Sequence, residues 1–221
     1  MKEKSTYEKV LKTISGLKAI IDERGWELNQ DLIIESSAKE EELEAVEKTI
    51  GMEIPSDYRK LFKCSKRVEF SYQFEEEMPI EFRENFSGIV SWNLNSVASM
   101  FSYYNDWLEA SLDPKYNDET PISITQKVGI DKFPFLDVTN GDLIVMGKSK
   151  SEIVYLSHEG SKMHGKKLGN NLWDFLEFHI KIGFAGPEDW QFEPFYDFQY
   201  DTIKTEGKKV EKFIKWLNKK R

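Results

Sequence analysis

The sequence holds one cysteine, Cys64, in 221 residues. A single thiol excludes an intramolecular disulfide framework and suits a reducing compartment, so a cytoplasmic location is expected. Nowhere does the chain reach the roughly 18 consecutive apolar residues that a spanning helix needs. The opening MKEKSTYEKV lacks the apolar core of a secretory signal. No membrane role is expected. Glycine-rich phosphate cradles are missing too: neither G-x-G-x-x-G nor G-x-x-x-x-G-K-S/T occurs. No G-x-S-x-G elbow presents a serine nucleophile. The three histidines, His158, His164 and His179, stand in no H-E-x-x-H or C-x-x-C spacing, so surface or packing roles are expected for them. The segment from Asp137 to Asp142, DVTNGD, fails as a calcium loop because Gly141 comes one place early and no twelfth-position glutamate follows. No cofactor, no metal and no catalytic residue is expected.

What the chain has in quantity is aromatic surface and charge. Aromatics make up 14% of residues and all hydrophobics 39%, so large rings are expected to fill much of the core. The net charge of −8 is uneven: residues 203–221 carry eight Lys/Arg and two Glu, a net +6, which leaves −14 on residues 1–202. An acidic body disfavours nucleic acid, whose binding rests on cationic contacts to phosphate. It favours a basic protein partner, although ordinary solubility charge gives the same composition.

Periodicity divides the chain into elements. Val10, Ile14, Leu17 and Ile21 predict a helix over 6–24, followed by a linker or short extended piece from Trp26 to Ile34. Val68, Phe70, Tyr72 and Phe74 alternate with polar neighbours as in a half-buried strand, and Phe86 to Trp92 is a second strand candidate. A helix capped by Asn95 runs to Ser111, with Val97, Met100, Phe101, Tyr104, Trp107 and Leu108 inward. Strands are expected at 128–138, 143–148 and 152–157, with Asn140-Gly141 as a type I′ hairpin turn. A helix follows over 171–182, and a basic terminal helix over 207–220 carries Val210, Phe213, Ile214 and Leu217 inward. Runs of helices around an antiparallel meander predict an α+β fold: a central antiparallel sheet of about six strands with helices packed mainly on one side.

The stretch LEAVEKTIGMEIPSDYRKLF, residues 43–62, is the most informative. Ser37 and Glu40 have capping-box spacing, and Leu43, Val46 and Ile50 share one helical face. Gly51 falls at a helix end and Pro55 fits the first turn of the next helix, whose inward face is Tyr58, Leu61 and Phe62. This pattern of Glu47, Ile50-Gly51, Ile54-Pro55, Tyr58 and Phe62 resembles the SUKH superfamily, which joins fungal Smi/Knr-type cell-wall regulators with bacterial toxin-immunity proteins. The likeness extends through the hairpin at Asp137–Gly147, the helix at Asn171–Ile182 and the run Gly186-Pro187-Glu188-Asp189-Trp190, covering most of residues 35–195. One departure is Cys64-Ser65-Lys66, where the family has Asn-Gly.

The resemblance implies a SUKH-like α+β domain over 35–200, with the helix and linker of 1–34 and the basic helix of 201–221 packed upon it. It also implies binding rather than catalysis: an immunity protein that neutralises a cognate polymorphic toxin, or a regulatory interaction module without a toxin. An acidic body suits a basic toxin such as a nuclease. Acids beside large aromatics offer both steering and an anchor. The candidate partner contacts are accordingly Glu75, Glu76 and Glu77, Asp106 with Trp107, Asp137 and Asp142 around the hairpin, and Asp189 with Trp190; the alternative is core tryptophans with solvent-facing acids.

Overall fold

The computed structural model describes residues 2–74, 77–83, 85–112 and 128–219. Helix α1 (Lys2–Arg24) buries Val10, Ile14, Leu17 and Ile21 as their spacing predicts, and Gly25 ends it at φ +67°. The segment expected as a linker or short extended piece is a full strand, β1 (Glu27–Ile34). Its alternation is hard to read because two register shifts interrupt its pairing with β2 (Arg67–Gln73). Strand β3 (Ser87–Asn93) completes this sheet in the order β1-β2-β3. Both β2 and β3 alternate between buried and half-buried residues. Val68, Phe70, Tyr72, Val90 and Trp92 face the core, and Ser71, Ile89, Ser91 and Asn93 lie on the half-open face. Gly88 is obligatory in β3, since any Cβ there would collide with the ring of Tyr72.

Helices α2 (Glu40–Ile50) and α3 (Ser56–Cys64) flank the glycine–proline link. The capping box falls two residues later than its serine suggests: Glu42 accepts from the Lys39 N–H at 2.8 Å. Gly51 takes the left-handed conformation (φ 71°), and Pro55 sits just before α3, where its carbonyl accepts the first helical bond from Arg59 N–H. Ser65, the middle residue of Cys64-Ser65-Lys66, is buried and donates its hydroxyl toward the carbonyls of Glu35 and Arg67.

The remaining strands form a four-stranded sheet, β4 (Lys132–Asp137), β5 (Leu143–Gly147), β6 (Ile153–Leu156) and β7 (Lys167–Gly169), in sequential antiparallel order. The α+β class and the antiparallel pairing are as expected. Among the described residues the strands are nevertheless divided between two main sheets of three and four, with a small hairpin of β8 (Tyr196–Asp197) and β9 (Thr202–Ile203). Helices also flank both faces of the larger sheet. Leu143, Val145, Val154 and Leu156 pack under Tyr104 of α4 (Val97–Leu112), while Ile144, Met146, Ile153 and Tyr155 join the main core on the side of α5 (Leu172–Lys181). Strands apolar on both faces need cover on both.

Two local expectations are corrected. Strand β4 begins at Lys132 rather than Val128, after a turn in which Asp131 has φ 57°. The hairpin is not type I′: Gly141 N–H donates to Val138 O, Val138 N–H donates to Asp142 O, and only Gly141 has positive φ. This is a three-residue loop with a glycine bulge, in which Asn140 keeps ordinary backbone angles. The last helices are the short α6 (Asp189–Phe192) and α7 (Lys208–Leu217), which buries Val210, Phe213 and Leu217.

Candidate interaction groove

Because the sheets stay separate, a groove of about 400 Å³ opens between β3 and β4. Ser91 and Asn93 of β3 form one wall, Leu136 and Asp137 of β4 another, and Ser99, Met100 and Tyr103 bring in the first turns of α4. Tyr58 and Phe135, both buried, line its base, with the Tyr58 hydroxyl 3.5 Å from the Phe135 carbonyl. Tyr103 ties α4 to the hairpin by donating to Gly141 O at 3.0 Å. Among the described residues, Asp137 is the one charged group lining the groove, and desolvation raises its carboxyl above the usual aspartate value. A larger groove of about 570 Å³ surrounds Glu47 and Arg59, but these two charges already pair with each other at 2.5 Å.

The structure scatters the nominated residues. Asp137 lines the groove, and Asp106 is exposed one turn beyond Tyr103 on α4. Trp107 instead packs on the cluster of Tyr104, Leu143, Val145, Val154 and Leu156. Asp142 is buried, against its expected place on the surface, because its carboxylate organises the hairpin from within. It accepts from Tyr155 Oη (2.7 Å), His158 N–H (2.8 Å) and Asn140 Nδ2 (3.0 Å), with His158 Nδ1 at 2.7 Å. Asp189 is buried at the start of α6, and Trp190 is half-buried against Phe86 at 6.5 Å. Glu77 lies on a separate cavity beside Arg83 and Phe86, and Glu75 and Glu76 fall outside the described residues. No sequence pattern marks the groove's hydroxyl wall, because serines on a strand face and a helix surface read as ordinary solvent-facing positions.

Behind the hairpin the charges are buried and mutually repelling. Burial and the nearby Asp142 and Asp189 push the Glu188 carboxyl up to about 7. The Tyr155 hydroxyl is raised by the same burial and by its bond to Asp142. His179 has the packing role its spacing suggested: it is buried, its Nε2 lies 3.1 Å from Ala185 O, and desolvation lowers it to about 4. Among the described residues no cluster of His, Cys, Asp and Glu is arranged to hold a metal, and no described helix is long and apolar enough to cross a membrane.

A model of the SMI1 / KNR4 family (SUKH-1) matches residues 37–177. The chain belongs to this family. Comparison with curated proteins gave no match. The SMI1/KNR4 match runs from the entry to α2 into α5, and so contains both walls of the groove. It also contains Glu47, whose carboxylate accepts from Ile54 N–H (3.0 Å) and Arg59 Nη1 (2.5 Å). The glutamate thus clamps the two helices of the SMI1/KNR4 signature across its glycine–proline link, a structural task rather than a binding one.

Proposed function

We propose that this SMI1/KNR4-family chain is a non-catalytic protein-binding module, and that it is an immunity protein neutralising a cognate bacterial polymorphic toxin by covering the toxin's active surface. The carrying observation is the groove between β3 and β4, walled with hydroxyls and holding, among the described residues, the single acid Asp137 on an acidic body. Such a surface suits a basic protein, a nuclease toxin being the natural case, through steering and charge complementarity. Acid–base catalysis by paired carboxylates would require a second acid in the same site, and among the described residues Asp137 has none beside it in the groove lining. The acidic body argues against nucleic acid, and the lone thiol suits the cytoplasm.

A second reading is favoured by the matched family model itself: a regulatory interaction module of the fungal SMI1/KNR4 kind, with no toxin partner. The neighbouring reading frame separates the two. Co-expression of this chain with a toxin domain encoded beside it should restore growth and give a complex that survives size-exclusion chromatography. Growth arrest that persists with both proteins expressed, or two proteins that elute apart, would sink the immunity reading.

A further inference from the structure

The ladder between β2 and β3 fixes which backbone groups face the groove. Phe74 N–H donates to Phe86 O at one end and Leu94 N–H to Lys66 O at the other, so the even-numbered residues of β3 exchange bonds with β2. Ser87, Ile89, Ser91 and Asn93 therefore turn their N–H and C=O toward the opposite edge. The first half of that edge is covered: Ile89 N–H donates to Phe184 O at 2.9 Å, and Gly186 N–H donates to Ser87 O at 3.3 Å. Further along, Ser96 Oγ donates to Asn93 O. The N–H and C=O of Ser91 and the N–H of Asn93 have no backbone partner among the described residues.

The facing strand does not fill this gap. Pro134 of β4 has no N–H to offer, a register shift follows it, and Tyr58 Oη points at the Phe135 carbonyl. Elsewhere this protein blunts a free edge with its own side chains. On β1, Asp31 accepts from Leu32 N–H (2.6 Å), Gln30 donates to Asp31 O (2.8 Å), and two register shifts distort the strand. Apart from the Ser96 hydroxyl on Asn93 O, the Ser91–Asn93 edge has none of these devices among the described residues, and it opens into the groove that ends at Asp137.

We propose that the groove takes one extended, basic segment of a partner protein, which adds as a strand along Ser91–Asn93 and sets a lysine or arginine against Asp137. This deepens the protein-binding reading and rests on it. Backbone bonds to the open edge supply affinity, and the alternate side chains of the added strand supply specificity. An inserted helix, with its backbone bonded internally, would leave the edge unmet, and an acidic strand would meet Asp137 with like charge.

The test uses the full chain and a displayed library of random peptides. Selected peptides should be rich in β-branched residues and carry Lys or Arg. Ser91→Pro removes an N–H that points away from β2, so it leaves the ladder intact while blocking the added strand; it should weaken the selected peptides at least about tenfold. Asp137→Asn should weaken them about threefold to tenfold. Binding that survives Ser91→Pro, selected peptides without basic residues, or no selected peptide at all would overturn the proposal. If Ser91→Pro fails to fold, amide exchange on the unmodified protein decides. The Ser91 and Asn93 amides should exchange fast and slow at least about tenfold when a synthetic lysine-containing selected peptide is added; unchanged exchange overturns the proposal. No toxin enters this experiment, so a failed growth rescue leaves its outcome standing.

Discussion

Two acids five residues apart, Asp137 and Asp142, look alike in the sequence and have opposite fates. Asp137 ends a strand and lies at the groove, whereas the glycine bulge turns Asp142 inward to Tyr155 and His158. No local pattern separates them, because the deciding partners lie 13 and 16 residues further on. Burying Asp142 also affects Glu188. An acid raised from 4.5 to about 7 binds its proton more tightly in the folded state, so stability falls as pH rises through that window. His179, lowered from 6.5 to about 4, acts in the opposite sense: its neutral form is favoured by folding, and stability falls as pH drops from 6.5 toward 4. Between these limits the two slopes oppose each other. Glu188→Gln should therefore raise the melting temperature at pH 8 by about 3 °C, the shift that roughly 1 kcal/mol produces in a chain of this size. The gain should vanish by pH 4.5, leaving the slope due to His179 exposed. Thermal melts across that range check it, and a gain independent of pH would mean that Glu188 is not the group that titrates.

At the scale of elements, regular periodicity was legible and irregular chemistry was not. α1, β2, β3 and α5 keep strict apolar spacing and lie where that spacing puts them. β1 was obscured because its register shifts break the period of two over Leu28, Leu32 and Ile33. The link between α2 and α3 was recognisable from Gly51 and Pro55, yet what holds it is the side chain of Glu47. A carboxylate that accepts from both a backbone N–H and a guanidinium joins the two elements, beside the ion pairs that Glu40 makes with Arg59 and Lys63. Glu47→Ala leaves Ile54 N–H and Arg59 without that partner and should cost about 1.5–3 kcal/mol. Glu47→Gln keeps an acceptor for Ile54 and should recover part of the loss. Urea unfolding of both variants measures this, and equal losses would show that the charge alone carries the clamp.

For the whole molecule, the α+β class followed from the order of elements, but the division into two sheets did not. It depends on Pro134 and the register shift in β4, which prevent β3 and β4 from pairing and leave the groove open. The uneven charge poses a similar question for α7, which could be held by its rings or by attraction to the acidic body. The geometry favours the rings. Phe213 packs edge-on against Phe82 (5.1 Å) and Phe195 (5.3 Å). Arg24 stacks over Trp26 and Trp216 and donates to the carbonyls of Trp216 and Leu217 at the end of the helix. Lys208, Lys209 and Lys215 are exposed, while Lys212 reaches Glu81 at 2.5 Å. Exposed lysines contribute about 0–1 kcal/mol through such fields, whereas truncating a buried phenylalanine costs about 3–5 kcal/mol. Phe213→Ala should accordingly shift the urea midpoint strongly. Replacing Lys208, Lys209 and Lys215 by glutamine should barely move it, although removing three positive charges takes the net charge from −8 to −11. The triple variant should then associate faster with a basic partner at low salt, an advantage that disappears once the Debye length shrinks. A large stability loss in the triple variant would reverse the assignment and make α7 an electrostatic strap.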